Sequence, residues 1–273
     1  MAALLTIRAL SRRFGGLLAV NSVDMDVDSG CVHGVIGPNG AGKTTLLNLV
    51  SGHLPATSGG VSFENTDVTR WAAERRARAG IRRTFQNLKL FPEMTVLDNV
   101  KVGMHGQTRC ELWHALLRTS AQRAEELSIT RAARAALEFT GLLHVAGMPA
   151  GTLPHGTQRL IEIARAFVAK PKLLLLDEPA AGLNRVECRR LVELIRSIRA
   201  CGITVMLIEH HMDVIMPTCD RITVLNYGQR LADGTPAEVR QHPEVIKAYL
   251  GGGITQMIGR KPIEALQVAH AAP

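Results

Sequence analysis

The stretch V-I-G-P-N-G-A-G-K-T-T-L-L-N-L at residues 35–49 decides the fold of this chain. It contains the pattern G-x-x-x-x-G-K-[ST], which is typical of a loop that binds the phosphates of a nucleoside triphosphate. A short apolar run precedes the loop, and residues 45–50 have the composition of a helix. A strand, a glycine-rich loop and a helix in this order predict a phosphate loop and not a simple turn.

Each type of residue in this loop has a physical reason. Glycines permit positive φ angles and let backbone N–H groups close on phosphate oxygens, and the N-terminus of the following helix favours the same anion. Lys43 can reach the β- and γ-phosphates, and the hydroxyl of Thr44 can bind Mg²⁺. The residues predicted to bind the nucleotide are Gly37, Pro38, Asn39, Gly40, Ala41, Gly42, Lys43, Thr44 and Thr45.

The composition fits a sizeable folded unit. The chain has 273 residues, of which 46% are hydrophobic and 4% aromatic, which suits one large α/β unit or two small domains with an aliphatic core. The formal net charge of +8 is compatible with a polyanionic partner, a membrane surface or a nucleotide, or it reflects surplus surface arginine. The arginine-rich run at residues 70–83 is predicted to be mostly a solvated helix face, and no basic stripe interleaved with aromatic residues favours nucleic acid.

The cysteines and the apolar runs exclude other classes of protein. Five cysteines are scattered without a C-x-x-C pair, so neither a disulfide framework nor a zinc site is predicted. Residues 1–8 are too short an apolar stretch for a signal peptide. No apolar run approaches the ~18 residues that a membrane-spanning helix requires.

Four leucines at residues 173–176 are followed by two acids, Asp177 and Glu178. A continuous apolar run that ends in carboxylates predicts a buried parallel strand with acids at its carboxyl end. Ligands bind at that end of the strands in open α/β sheets. Asp177 can hold Mg²⁺ together with Thr44, and Glu178 can polarise a water molecule.

Two further polar residues follow predicted strands. Gln86 ends a predicted strand at residues 81–86, and its side-chain carbonyl can reach Mg²⁺ or an attacking water from there. His210 follows a predicted buried strand at residues 203–208 and is placed to sense a γ-phosphate. The histidine next to it suggests a metal site, but adjacent histidines without further partners do not normally bind one ion.

The order of elements indicates an α/β core with an inserted helical part. Residues 19–27 alternate apolar and polar residues, as in a half-exposed antiparallel strand. Residues 103–150 have a helical pattern without strand signals, and residues 87–96 form an apolar loop that suggests a docking site. Phe14 precedes the phosphate loop at a distance from which it either stacks on an adenine ring or packs in the core.

The sequence of motifs resembles an ABC-type ATP-binding cassette over roughly residues 4–250. The order is a phosphate loop, a strand-end glutamine, a helical block, L-x-x-G-x-Q-R, L-L-L-L-D-E-P and a strand followed by E-H. Four segments, at residues 13–21, 83–87, 177–184 and 248–251, are similar to the ATP-binding subunits of branched-chain amino acid importers. Related cassettes serve urea, amides and aromatic acids, so this narrower resemblance leaves the transported solute open.

The resemblance implies an α/β fold of the P-loop NTPase type. It has a RecA-like core with an antiparallel β subdomain, at about residues 4–86 and 160–250, and an inserted α-helical subdomain at about residues 87–159. Together these form one ATP-binding domain over residues 4–250. Residues 251–273 are expected to form a loosely ordered C-terminal extension.

The same resemblance implies roles for single residues. Phe14 stacks on adenine, Glu178 is the general base, and His210 contacts the γ-phosphate. Asp177 holds Mg²⁺ through water, and Gln86 couples the γ-phosphate to a membrane partner through the loop after it. The implied catalytic residues are Glu178, His210 and Gln86. The implied metal ligands are Thr44, Gln86 and Asp177. The implied signature residues, which face the ATP of a second subunit, are Leu153, Gly156, Thr157 and Gln158.

The implied cofactors and partners follow from those roles. The cofactors are ATP and Mg²⁺. The partners are a second cassette, identical or different, two integral-membrane permease subunits and, indirectly, a solute-binding protein, with no nucleic acid. The implied location is the cytoplasmic face of the inner membrane, where the chain is peripheral.

The signature is where this chain departs from the family. Residues 153–157 read L-P-H-G-T in place of the usual L-S-G-G-Q. Pro154 brings neither a hydroxyl nor an N–H, although proline is acceptable as a residue of the first helical turn. Asn184 and His211 stand where acids are usual. We therefore hypothesise that this subunit gives a weaker signature to its partner's ATP and pairs with a different cassette.

Two other classes of protein remain as alternatives. A soluble ABC ATPase acting on nucleic acid is favoured only by the basic charge, and such proteins usually carry two cassettes or a long coiled-coil insert. A small-molecule kinase would use the phosphate loop but gives no account of Gln86, of residues 153–159 or of His210.

Overall fold

A six-stranded sheet forms the centre of the structure, a computed structural model that describes residues 3–86, 88–104 and 120–250. Its strands, numbered in chain order with those of the second sheet, are β3 (Val32–Ile36), β6 (Ile81–Arg83), β7 (Leu173–Asp177), β8 (Thr204–Ile208), β9 (Arg221–Asn226) and β10 (Gln229–Gly234). The order across the sheet is β10-β9-β3-β8-β7-β6. All neighbours are parallel except β9 and β10, so five strands end at the same edge.

Strand β7 is buried on both faces, as its run of leucines predicts. Leu173 and Leu175 belong to the hydrophobic cluster on one side of the sheet, and Leu174 and Leu176 belong to the cluster on the other side. A strand between two parallel neighbours with covered faces needs apolar residues at every position. The acid that ends the strand, Asp177, therefore lies at the edge where the parallel strands end.

A second sheet is antiparallel and packs over one side of the first. Its strands are β1 (Ala3–Phe14), β2 (Leu17–Asp28), β4 (Ser58–Phe63) and β5 (Thr66–Asp67), in the order β2-β1-β4-β5. The alternating strand that was predicted at residues 19–27 is confirmed within β2. Strand β1 continues to Phe14, which pairs with Leu17. The chain reverses only at two glycines, the first of which, Gly15, has a φ of 56°.

Nine α-helices and two short 3-10 helices, Leu143–Val145 and Ala150–Thr152, surround the sheets in the described part of the chain. The α-helices are numbered in chain order. They are α1 (Lys43–Val50), α2 (Ala73–Ala79), α3 (Val96–Val102), α4 (Ser120–Phe139), α5 (His155–Phe167), α6 (Arg185–Ala200), α7 (Met212–Thr218), α8 (Pro236–Gln241) and α9 (Pro243–Leu250). Within the described residues, none of them is long and apolar enough to cross a membrane. Residues 105–119 of the predicted helical pattern and the extension expected at residues 251–273 lie outside the described residues.

Helices α3, α4 and α5 share a hydrophobic cluster of their own. Ile161 and Ala164 of α5 belong to it, whereas Ile163 and Ala166 of the same helix pack against the central sheet. Helix α5 thus joins the helical part to the core. The predicted boundary between residues 159 and 160 falls inside this helix.

The arginine-rich run at residues 70–83 was predicted to be mostly solvated, and Arg70, Arg75 and Arg78 are indeed exposed. Arg76 is the exception. Arg76 is 2% exposed, and its guanidinium donates hydrogen bonds to the carbonyls of Leu49 and Val50, both at 2.7 Å. These carbonyls belong to the last turn of α1, where helical carbonyls have no partner in their own helix. Arg76 is buried because it caps the helix that follows the phosphate loop.

Candidate functional site

A cleft of about 690 Å³ opens at the carboxyl ends of the parallel strands. The structure brings most of the predicted site residues together in it. The cleft is lined by Phe14, Leu17, Ala19, Gly37, Pro38, Asn39, Gly40, Ala41, Gly42, Lys43, Thr44, Thr45, Gln86, Glu178, His210 and Tyr249. Residues from six separate parts of the sequence therefore face one cavity.

The loop between β3 and α1 can be built only with glycine at two positions. Gly37 has a φ of 152° and Gly42 a φ of 98°, which L residues rarely adopt. A Cβ on Gly37 would lie 2.2 Å from the carbonyl oxygen of Leu225, and one on Gly42 would lie 2.4 Å from that of Ala19. The glycines therefore serve both backbone conformation and the close approach of neighbouring strands.

Lys43 begins α1 and is 7% exposed. Its ammonium donates hydrogen bonds to the carbonyls of Gly37 at 2.7 Å and Pro38 at 2.9 Å. Burial lowers the pKa of Lys43, and the nearby carboxylates of Glu178 and Asp177 oppose that shift. The cleft thus contains a desolvated cation held by its own loop, which suits an anionic phosphate.

Asp177 lies beneath the cleft and is 1% exposed. Its Oδ2 accepts a hydrogen bond from the Arg83 guanidinium at 3.2 Å, whereas its Oδ1 has no hydrogen-bond partner among the described residues. Burial raises the pKa of Asp177, and Arg83 opposes this shift. A buried carboxylate oxygen without a partner is unfavourable unless something else satisfies it. The free Oδ1 fits the oxygen chemistry that Mg²⁺ requires.

Glu178 adopts an unusual backbone conformation where the strand ends. Its φ is 47°, in the left-handed region that costs a non-glycine residue free energy. Its backbone N–H donates to the carbonyl of Ile208 at 2.9 Å, which fixes the turn. The carboxylate accepts a hydrogen bond from the Gln86 amide at 3.0 Å and lies 4.0 Å from Nδ1 of His210. The three residues predicted to be catalytic are therefore adjacent.

Gln86 was predicted to end a strand, and this prediction is wrong. Strand β6 ends at Arg83, after three residues paired with β7. Thr84 makes one more contact to the sheet, from its N–H to the carbonyl of Leu175 at 2.9 Å, and the chain then leaves the sheet. Gln86 lies exposed in the loop beyond it, and its side chain reaches the cleft from there.

The turn after β8 presents His210 to the cleft. Glu209 is fully buried, and its carboxylate accepts hydrogen bonds from the N–H groups of Ala180 at 2.6 Å, His210 at 3.0 Å and His211 at 3.3 Å. Possible ligand atoms of Glu209, His210 and His211 lie within 4.8 Å of one another. Because the carboxylate is occupied by backbone donors, this group has the contacts of a turn-shaping acid and not those of an ion site.

Phe14 is a cleft residue and not a core residue. It is 42% exposed at the end of β1 and lines the cavity. The guanidinium carbon of Arg12 lies 4.7 Å from the centroid of its ring. The alternative that Phe14 packs in the core is therefore wrong, and a face of an aromatic ring is available at the cleft.

The four predicted signature residues lie away from this cleft. Leu153 and Thr157 line a separate cavity between the end of α4 and helix α6. Gly156 is packed so closely that a Cβ would lie 2.5 Å from Oε1 of Glu187, and the amide of Gln158 donates to the carbonyl of Leu153 at 2.9 Å. Pro154 is the residue before helix α5, with φ −55° and ψ 148°, and does not belong to the first turn, where proline is also acceptable.

Sequence reasoning missed several residues that shape the site. Arg83 was visible only as part of a basic run, and Tyr249 only as part of a family-like segment. Tyr249 is 7% exposed and reaches the cleft from α9. Arg159 and Glu162 are both nearly fully buried on α5. In the sequence, Arg159 was visible only as the last residue of the L-x-x-G-x-Q-R motif, and Glu162 only as a charge three residues after it.

Two models of protein families match separate parts of this chain. A model of the ABC transporter family matches residues 20–181, and a model described as a branched-chain amino acid ATP-binding cassette transporter matches residues 229–255. The first covers the phosphate loop and the strand that carries the two acids. The second covers α9, from which Tyr249 reaches the cleft.

Similar proteins agree with both family models. LivG of Salmonella typhimurium and BraF of Pseudomonas aeruginosa, both high-affinity branched-chain amino acid transport ATP-binding proteins, are 46% and 44% identical over 91% of this chain and 98% of their own. A nucleotide-free cassette from an ABC transporter superposes with a TM-score of 0.80 at 33% identity, over 91% of this chain and 99% of its own. The ADP conformation of such a cassette gives 0.80 at 32% identity, over 92% and 100%.

Proposed function

This chain belongs to the ABC transporter family, as an ATP-binding cassette of the LivG and BraF type, and from this premise we propose how its residues bind and hydrolyse ATP. It is the ATPase subunit of a branched-chain amino acid importer. One observation carries the proposal. The carboxylate of Glu178, the amide of Gln86 and the imidazole of His210 converge in the cleft that contains Lys43.

The phosphate loop binds the triphosphate. The N–H groups of the loop and the N-terminus of α1 point at the phosphates, and the ammonium of Lys43 exchanges its two carbonyl partners for phosphate oxygens. That exchange is favourable because a charge-assisted contact replaces bonds to neutral carbonyls. The exposed ring of Phe14 stacks on the adenine at the other end of the cleft.

The residues present fit a bound Mg²⁺. Thr44, Gln86 and the free Oδ1 of Asp177 would hold the ion, directly or through water. The ion neutralises charge on the β- and γ-phosphate oxygens when it is bound. Arg83 holds the other carboxylate oxygen of Asp177 and so orients Oδ1.

Glu178 is the general base of hydrolysis. Its carboxylate takes a proton from the water that attacks the γ-phosphorus, and the bond from that phosphorus to the bridging oxygen of ADP breaks. His210 contacts the γ-phosphate and stabilises its charge. The amide of Gln86 donates a hydrogen bond to one oxygen of the Glu178 carboxylate at 3.0 Å, and the other oxygen is left to accept the proton.

The cleft is half of a complete site. Leu153, Pro154 and Thr157 line a separate cavity, and the signature of this chain serves the ATP of a second cassette. The two cassettes close around nucleotide and transmit the motion to two permease subunits through the loop at residues 88–94. A solute-binding protein acts on the outside, and this chain is peripheral on the cytoplasmic face of the inner membrane. The names of the relatives favour branched-chain amino acids over urea, amides or aromatic acids.

Uptake measurements test this function. In cells that lack this chain, we expect uptake of radiolabelled leucine at low concentration to fall to background, because permease subunits without a cassette have no energy source. Wild-type chain restores uptake and Lys43→Ala does not, whereas uptake of urea is unaffected throughout. Undiminished leucine uptake without the chain, in cells with no second cassette of this type, would remove the proposed substrate class.

The altered signature predicts a partner different from this chain. We expect the purified chain to hydrolyse ATP slowly alone and faster when mixed with the second cassette of its importer, because Pro154 has neither the hydroxyl nor the N–H of the usual serine. Turnover is measured over a range of protein concentrations. Equal and cooperative turnover by the chain alone contradicts the heterodimer.

A further inference from the structure

Helix α5 holds the backbone beside Gln86 with a buried arginine. Arg159 is 2% exposed. Its Nη1 donates to the carbonyl of Phe85 at 2.8 Å, and its Nη2 donates to the carbonyl of Gln86 at 2.9 Å. A guanidinium that bridges two successive carbonyls fixes both their distance and their orientation, because its donors form a rigid planar fork.

Glu162, one turn further along α5, completes the contact. Its Oε1 accepts a hydrogen bond from the N–H of Phe85 at 3.2 Å, and its Oε2 accepts one from Nη1 of Arg159 at 3.2 Å. Burial raises the pKa of Glu162, and the N–H of Phe85 and the charge of Arg159 oppose that shift. We call Arg159 and Glu162 the α5 clamp. It satisfies both the donor and the acceptor of one residue and the acceptor of the next.

The core holds the other side of the same segment. Thr84 donates its N–H to the carbonyl of Leu175 at 2.9 Å, and its hydroxyl accepts from the N–H of Asp177 at 3.3 Å. The chain is therefore bound to the sheet at Thr84 and to α5 at the next two residues. Gln86 sits where the core and the helical part meet, with its amide on the carboxylate of Glu178.

We propose that Arg159 and Glu162 are positioning residues that set the place of Gln86 relative to Glu178. The first turn of α5 contains the signature residues Gly156 and Thr157. When the signature contacts a partner's nucleotide, movement of α5 therefore moves the backbone of Gln86. The side-chain amide of Gln86, which is hydrogen-bonded to the general base Glu178, moves with it. This inference rests on the proposed function, because it assigns a control to the same hydrolytic site.

The test is the kinetics of Arg159→Lys in the assembled transporter. Lysine keeps the charge but cannot bridge two carbonyls with a planar fork. We expect kcat to fall about 10- to 100-fold, the cost of a misplaced group near a reaction centre, with little change in the KM for ATP. Arg196→Lys is the matched control, since Arg196 also donates to a backbone carbonyl, that of Pro217, on an exposed surface. We expect this control variant to leave kcat and the KM for ATP unchanged.

A double-variant cycle separates positioning from simple structural support. In a Gln86→Ala background the side chain that the α5 clamp positions is absent, so Arg159→Lys adds no further loss of kcat. An additive loss overturns the proposal, and so does an unchanged kcat in the single variant. If Arg159→Lys does not fold, Glu162→Gln is used instead, because it keeps the size of the side chain and breaks the pair with Arg159.

The proposed function is checked separately in the same preparation. Wild-type transporter must hydrolyse ATP, and Glu178→Gln must abolish that activity. If either fails, the assignment of the site is wrong. If both hold and the cycle is additive, the site stands and the α5 clamp only supports the fold.

Discussion

Replacing Glu178 by glutamine lowers the rate of ATP hydrolysis at least about 100-fold, the usual contribution of a general base, while ATP binding is retained. Glutamine keeps the size of the side chain and cannot accept the proton of the attacking water. The phosphate loop does not depend on this carboxylate, because the contacts of Lys43 are to Gly37 and Pro38. Nucleotide that cannot be hydrolysed keeps the two cassettes closed.

The measurement combines turnover, nucleotide binding and size-exclusion chromatography in ATP and Mg²⁺. We expect Glu178→Gln to elute as a stable dimer and the wild type to return to its resting state. Glu64→Gln is the control, because Glu64 lies on the surface with Lys172 as its partner and such pairs contribute little. Turnover near that of wild type in Glu178→Gln removes Glu178 from the role of base.

The backbone conformation of Glu178 affects how a loss of activity in Glu178→Gln is interpreted. The residue is at a φ of 47° whatever its side chain, so glutamine meets the same backbone strain as glutamate. A loss of activity in Glu178→Gln is therefore chemical in origin and does not come from a changed turn. Thermal unfolding of the variant should match that of the wild type.

Replacing Asp177 by alanine removes Mg²⁺-dependent ATP hydrolysis and also destabilises the folded chain by about 3–5 kcal/mol. The second effect comes from Arg83, whose side chain is 7% exposed and pairs with Asp177. Without the carboxylate, a buried guanidinium keeps its contacts to Asn48 and Ser51 but loses its counter-charge. The Arg83–Asp177 pair therefore has a structural role in addition to the metal role that we propose for Asp177.

Urea unfolding and Mg²⁺ titration of ATP binding measure the two effects separately. In the double variant Arg83→Met, Asp177→Ala we expect part of the lost stability to return, because the unpaired buried charge is gone. Mg²⁺ dependence stays lost in both variants. A destabilisation below about 1 kcal/mol in Asp177→Ala, typical of an exposed pair, contradicts the structural role. Unchanged dependence on Mg²⁺ contradicts the metal role.

The signature shows how far a pattern of residues can be interpreted. The substitution of Pro154 for serine was visible in the sequence, and so was the missing N–H. Its position was not, because proline is compatible with both the residue before a helix and the first turn. In the structure Pro154 is the residue before the helix, which starts at His155. The N–H groups of the first turn, including that of Gly156, are therefore intact.

The sequence by itself determined the phosphate loop and the strand that carries Asp177 and Glu178, and the order of its motifs indicated the family by resemblance. The loop and the strand depend on local chemistry. A glycine at positive φ, a run of leucines in a buried strand and a lysine at a helix start are written in consecutive residues. Parallel strands that end at one edge then bring the loop and the acids together without further information.

Only the tertiary structure decided how Gln86 and Asp177 are held. Arg83 and Asp177 are 94 residues apart, and Arg159 and Gln86 are 73 residues apart. Such pairs depend on how strands register and how α5 packs against the sheet, and no periodicity of the sequence encodes a partner at that distance. A buried arginine and an exposed one look alike in a sequence, because burial is a property of the packed chain and not of the residue type.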